Sequence, residues 1–202
     1  MKRRLTQTIA VLFLSILWTA DRAQASPISL GLQGGMNLAN LSLNPSRSTS
    51  NRTGLAVGGH LELSLLGIIY LQPEIMYVQK GGVDSPTGNV IKLDYLEIPV
   101  LMKFKFGITP IHLELLGGPY VGFAMSKKVD AGLGSSTQLT DAKDMDIGAT
   151  LGVGAQLDLS SKYALFADLR YSMGFTNTSD TAGLTRRNTG ILFLAGIRFD
   201  LL

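Results

Sequence analysis

Between Ser29 and Leu201 the side chains alternate between apolar and polar at a period of two, in eight runs of ten residues or more. That period belongs to a strand with two unlike faces. Strands of soluble domains usually hold about five or six residues. A strand crossing a bilayer at a tilt needs about 9–11. The runs are Ser29–Ala39, Gly54–Leu65, Ile68–Lys80, Leu96–Phe106, Ile111–Met125, Asp144–Leu159, Tyr163–Phe175 and Thr189–Leu201. Their length points to strands that span a membrane. The competing arrangement, a soluble sandwich or lipocalin-like barrel with the apolar face inside, requires shorter strands.

In the first run Leu30, Leu32, Met36 and Leu38 share one side, and Ser29, Gln33 and Asn37 the other. The sixth is the most regular, with Ile147, Ala149, Leu151, Val153, Ala155 and Leu157 against Asp146, Gly148, Thr150, Gly152, Gly154 and Gln156. The fourth has one misfit. Lys92 and Asp94, just before it, share the phase of its apolar residues, which predicts a bulge or the loop edge there.

Connections alternate short and long. Leu66-Gly67, Gly107–Pro110 and Ser160-Ser161 are tight, whereas Asn40–Thr53, Gly81–Asn89, Lys127–Lys143 and Thr176–Asn188 are long and polar. Tight turns on one rim and long loops on the other are the pattern of outer-membrane barrels. No stretch after residue 25 has the 18 or more apolar residues of a spanning helix. Backbone groups in hydrocarbon must be paired internally, so spanning strands must close on themselves. The expected fold is all-β: an eight-stranded antiparallel transmembrane β-barrel, an up-and-down meander over residues 26–202.

In that barrel the apolar face meets lipid and the polar face meets the lumen. Tyr77, Phe106, Tyr163, Tyr171, Phe175 and Phe199 lie on the apolar face, mostly toward run ends, as interfacial girdles do. Nine charged residues fall inside: Glu62, Glu74, Glu97, Glu114 and Asp168 against Lys103, Lys105, Arg170 and Arg198. Eight strands leave an interior that side chains can fill. Near balance of charge predicts a structural ion-pair network that plugs it.

Residues 1–25 read as a cleaved signal peptide. Lys2, Arg3 and Arg4 precede an apolar stretch, Ile9–Trp18, and Ala23-Gln24-Ala25 fits the small-x-small cleavage rule. Ten apolar residues are too few for an anchor helix. Removing the segment turns a precursor of 18 basic and 15 acidic residues into a chain with 14 of each. Its charge then gives no reason to expect nucleic acid as a partner. Cysteine is absent, so no disulfide can staple the exported chain.

Little in the sequence supports catalysis. His60 lies mid-strand on the inward face and His112 near a tight turn; both read as polar-core residues. Asp141, Asp144 and Asp146 lack the glycine and glutamate of a calcium loop, so no metal site is assigned, and no cofactor. The Gly148–Gly154 stretch is strand spacing, since no helix follows to form a phosphate loop.

Several segments resemble the PorT-type, or outer membrane protein beta-barrel domain, family. They are Gly31–Asn37, Leu71–Tyr77 with Gln79-Lys80-Gly81, Asp94–Val100 with Lys103, Gly117–Gly122, Asp168–Ser172 and Gly196–Phe199. The resemblance spans about residues 28–200. It implies a small porin-like barrel akin to OmpA and OmpX, resident in the Gram-negative outer membrane. The partner it implies is the barrel assembly machinery; outer-membrane lipid is the partner expected of the apolar face, and the oligomeric state, though expected to be a monomer, stays open in the sequence. Together these readings favour an envelope-structural or surface-interaction role without catalytic activity. The alternatives are a small-solute porin and a PorT-like factor assisting protein secretion.

Overall fold

The computed structural model describes residues 28–131 and 136–201. The signal-peptide reading of residues 1–25 lies outside the described residues. The strands are β1 (Ile28–Asn44), β2 (Thr49–Ser50), β3 (Arg52–Leu66), β4 (Ile69–Asp84), β5 (Val90–Ile108), β6 (Ile111–Asp130), β7 (Ser136–Gln138), β8 (Met145–Asp158), β9 (Tyr163–Gly174) and β10 (Thr185–Asp200). The eight long ones pair antiparallel with their neighbours in sequence. β1 also pairs with β10, from Ser29↔Asp200 to Asn44↔Thr185, and closes the barrel. β2 and β7 add short pairings to β4 and β6 on the long-loop rim.

No helix among the described residues is long and apolar enough to cross a membrane. Three tight turns share one rim with both ends of the described barrel. Gly67, in the turn between β3 and β4, has φ of 57°, a left-handed conformation that glycine adopts without steric cost.

Most strands run further toward the long-loop rim than the alternation predicted. β1 continues to Asn44, β10 starts at Thr185, and β4 and β5 stay paired to Val83↔Val90. The 20 residues of β6 reach about 65 Å along the strand at ~3.3 Å each. Even tilted, that exceeds an apolar band ~25 Å tall. The excess stands in water, and there the two faces exchange character.

Within the band the outside is apolar and open: Leu32, Ile75, Leu113 and Leu151 are 55%, 61%, 62% and 62% exposed. Above it, β1 turns Asn40, Ser42 and Asn44 outward and Ala39, Leu41 and Leu43 inward. β5 turns Lys92 and Asp94 outward, with Leu93 and Tyr95 fully buried. The misfit at Lys92 and Asp94 is therefore no break in β5, whose alternation is continuous; the surrounding medium changes. A register shift does lie beside it. Asp94 pairs with Ser126 but Tyr95 with Ala124, so Met125 on the facing strand is the extra residue. Past this bulge Lys128 and Asp130 face outward with Lys92. Lys92 and Ser136 donate to Asp130 and hold its carboxyl below the usual carboxylate range.

Candidate functional site in the lumen and at the long-loop mouth

The inward residues build tiers along the barrel axis. Nearest the tight turns, Lys103, from β5, lies 3.2 Å from Glu62 of β3 and 3.0 Å from Glu114 of β6. Lys105, one inward position along, meets the same carboxylates at 2.5 and 3.6 Å. Arg198 of β10 reaches Glu62 at 3.0 Å and Asp200 at 3.2 Å. Two glutamates thus hold three cations from two distant strands. Tyr70 closes the base of this tier, its ring 4.5 Å from the Lys105 ammonium.

Midway up, Arg170 of β9 binds Glu74 at 2.8 Å and Asp168 at 2.6 Å. Gln33 and Gln72 both donate to Glu74. Neutral side chains complete this level. Ala56, Met76, Val78, Leu192 and Leu194 form an inward apolar wall, and Leu101 and Leu116 are buried across from it. Phe166 lies edge-on to His60, with ring centroids 5.3 Å apart.

The third tier centres on Lys80. Its ammonium pairs with Glu97 and lies 3.4 Å from Asp146 and 4.1 Å from the centre of the Tyr120 ring. Tyr120 donates to Asp146 at 3.1 Å, and Asn188 donates to it at 3.0 Å. Gly148 makes room for this arrangement, because a β-carbon there would strike the Tyr120 ring and the Met173 carbonyl.

All nine charged residues assigned to the lumen from the sequence point inward and are ion-paired. Glu62, Glu74, Glu97, Glu114, Lys103, Lys105, Asp168 and Arg170 are buried, and the Arg198 side chain is 12% exposed. Lys80 and Asp146 belong to the same network and were not among the nine. Both keep the inward phase, but each stands at a run's end, where a charge reads as a rim residue. Unpaired buried charge is expensive, so side chains buried this deeply require such pairing.

The mouth at the long-loop rim is closed differently. Leu41, Leu93, Tyr95 and Ala142 form a buried apolar cluster, with Leu43, Ile91, Ala124 and Leu139 packed against it. Ala142 belongs to the segment between β7 and β8, which folds across the opening. Lys127 of β6 donates to the Ala142 carbonyl at 2.7 Å and to Asp144 at 2.6 Å. Arg186 of β10 donates to the Asp141 and Thr178 carbonyls at 3.2 and 3.0 Å. Asp141, Asp144 and Asp146 do not converge. Asp141 accepts from Thr181, Asp144 from Lys127, and Asp146 points into the lumen.

The histidines differ in setting. His60 is buried, while His112 is half-buried near the tight-turn rim, 3.4 Å from Asp158. Among the described residues, neither is hydrogen-bonded to a serine or threonine hydroxyl.

A family model described as "Outer membrane protein beta-barrel domain" matches residues 20–180. The match is to this broad family and does not single out the PorT type. Among solved structures, Neisserial surface protein A is 16% identical with a TM-score of 0.61, covering 87% of this chain and 98% of that one. The N-terminal β-barrel domain of Pseudomonas aeruginosa OprF is 11% identical with a TM-score of 0.52, covering 87% and 97%. At these identities the likeness is one of fold. No curated protein matches by sequence.

Proposed function

Because this chain belongs to the outer membrane protein beta-barrel domain family, we propose that it serves as a closed, non-conducting barrel of the outer membrane, with an envelope-structural or surface-interaction role and no catalytic activity. The tight turns then face the periplasm and the long loops the exterior. The observation that carries this reading is the double closure of the barrel. Lys103 and Arg170 are 2% and 3% exposed in the lumen, and Tyr95 and Leu93 are fully buried beneath the outer mouth.

A solute would have to displace three tiers of paired charge and then an apolar layer. A small-solute porin needs the opposite, a continuous hydrated path. This weighs against the porin alternative. The outward Leu, Ile, Val and Phe side chains bind lipid, and the barrel needs no second copy to complete its wall.

Single-channel recording in planar bilayers tests the proposal. Repeated insertions should leave the membrane at its leak current. Discrete steps of uniform size would restore the porin reading.

A further inference from the structure

The loops of the long-loop rim enclose a cleft of about 470 Å³ at the top of the β1–β10 pair. That size is ordinary for a small-ligand site. Asn44 and Thr185, the last cross-strand partners of the β1–β10 ladder, line one side. Lys143, from the segment between β7 and β8, and the β9–β10 loop line the rest. The cleft is open as the chain is folded, so no segment has to move to admit a ligand.

Its walls are fixed by the protein's own hydrogen bonds. The Asn177 side chain accepts from the Ser179 and Arg186 N–H groups at 3.0 and 2.8 Å and donates to the Leu184 carbonyl at 3.1 Å. The Asp180 N–H donates to the Asp141 carbonyl at 2.8 Å, and the Lys143 N–H to the Thr178 carbonyl at 3.0 Å. A site already ordered when empty loses little affinity to ordering. Four lining side chains stand apart from this bracing. Among the described residues the Asn44 side-chain amide, the Lys143 ammonium, the Asp180 carboxylate and the Thr185 hydroxyl form no hydrogen bond or ion pair with the protein.

Their chemistry narrows the ligand. An ammonium only donates and a carboxylate only accepts, whereas a hydroxyl does both. Lys143 and Asp180 carry opposite charges, so an anion would face the carboxylate and a cation the ammonium. An apolar ligand would find little to cover it, since Pro45, Ala182 and Leu184 are the apolar side chains of the lining. A neutral polyhydroxylated ring suits both, with its hydroxyls on the four polar groups and its C–H face on Pro45 and Leu184. We infer that the cleft binds a hexopyranose unit of a neutral glycan, Asp180 accepting from its hydroxyls, Lys143 donating to them, and Asn44 and Thr185 doing either. The inference rests on the surface-interaction reading, which turns these loops to the exterior, and not on the conductance of the lumen.

The test is saturation-transfer NMR on the barrel in lipid nanodiscs, with empty nanodiscs as the blank. The probes are the methyl glycosides of glucose, galactose, mannose and N-acetylglucosamine, with glycine and phosphocholine as zwitterions that could also bridge Lys143 and Asp180. At least one glycoside should give saturable transfer that the blank lacks. Asp180→Ala and Lys143→Ala should each weaken it at least tenfold. Both residues are exposed, so both variants should keep the gel heat-shift of a folded barrel; Asn44→Ala replaces either one that loses it. Transfer to a zwitterion but to no glycoside, transfer undiminished in either variant, or no saturable transfer from any probe overturns the inference. Orientation is read separately, by labelling Ala182→Cys on intact cells with a membrane-impermeant maleimide, since the chain has no cysteine of its own. Labelling without glycoside binding removes the site and leaves the surface reading. Glycoside binding without labelling removes the surface reading and leaves the site.

Discussion

From Ser29 to Leu38, β1 turns Leu30, Leu32, Met36 and Leu38 outward, and Ser29, Gln33 and Asn37 inward. From Ala39 to Asn44 it turns Asn40, Ser42 and Asn44 outward, and Ala39, Leu41 and Leu43 inward. The backbone, the pairing and the period are the same throughout, since β1 stays in register with β10 along its whole length. What differs is the medium outside. Where lipid touches the wall, apolar side chains belong outside, and the interior can afford polarity only as paired charge. Where water touches the wall, burial of apolar groups drives them inside, as in a soluble protein. One continuous barrel wall therefore contains two kinds of core. Alternation fixes which residues share a face, and the medium decides which face is apolar.

Breaking the lower core should have the largest effect. Glu62→Ala leaves Lys103, Lys105 and Arg198 to share the remaining carboxylates. Removing one partner of a buried charge network costs about 3–5 kcal/mol. Urea unfolding of the barrel in lipid vesicles should show a loss of that order. A loss below about 1 kcal/mol, the range of exposed ion pairs, would mean that the lumen is wet and its charges solvated.

A pair of substitutions on the outer face sharpens the comparison. Leu151 lies within the apolar band and Ser42 above it, both on outward positions. Leu151→Arg should cost about 2–4 kcal/mol and Ser42→Arg about 0–1, because the penalty for arginine falls with distance from the bilayer midplane. Equal costs in the same unfolding experiment would remove the proposed boundary between lipid and water.

The sequence showed the lower half more clearly than the upper. There, charges sit opposite leucines and valines, so phase and chemistry agree and the inward residues can be picked one by one. In the upper half the same phase carries the opposite chemistry, which breaks the pattern when a single medium is assumed. This is why Lys92 and Asp94 read as a bulge or loop edge, and why the ends of β1, β3, β4, β6 and β10 on this rim read as loops. Leu192 and Leu194 depart from the alternation in a related way. They are inward and apolar, while their outward neighbours Ile191 and Phe193 are apolar too, so that stretch lacks alternation. The grouping of Lys80 with Glu97 and Asp146 joins three strands. Spacing within one strand carries no information about such a meeting.

The reversal itself can be read directly by placing a nitroxide spin label at each outward position of β1, one at a time, in lipid vesicles. Labels at positions 30, 32, 36 and 38 should relax faster with lipid-soluble oxygen, and labels at 40, 42 and 44 with a water-soluble nickel chelate. Nickel preference at 32 and 36, or oxygen preference at 42 and 44, would contradict the account.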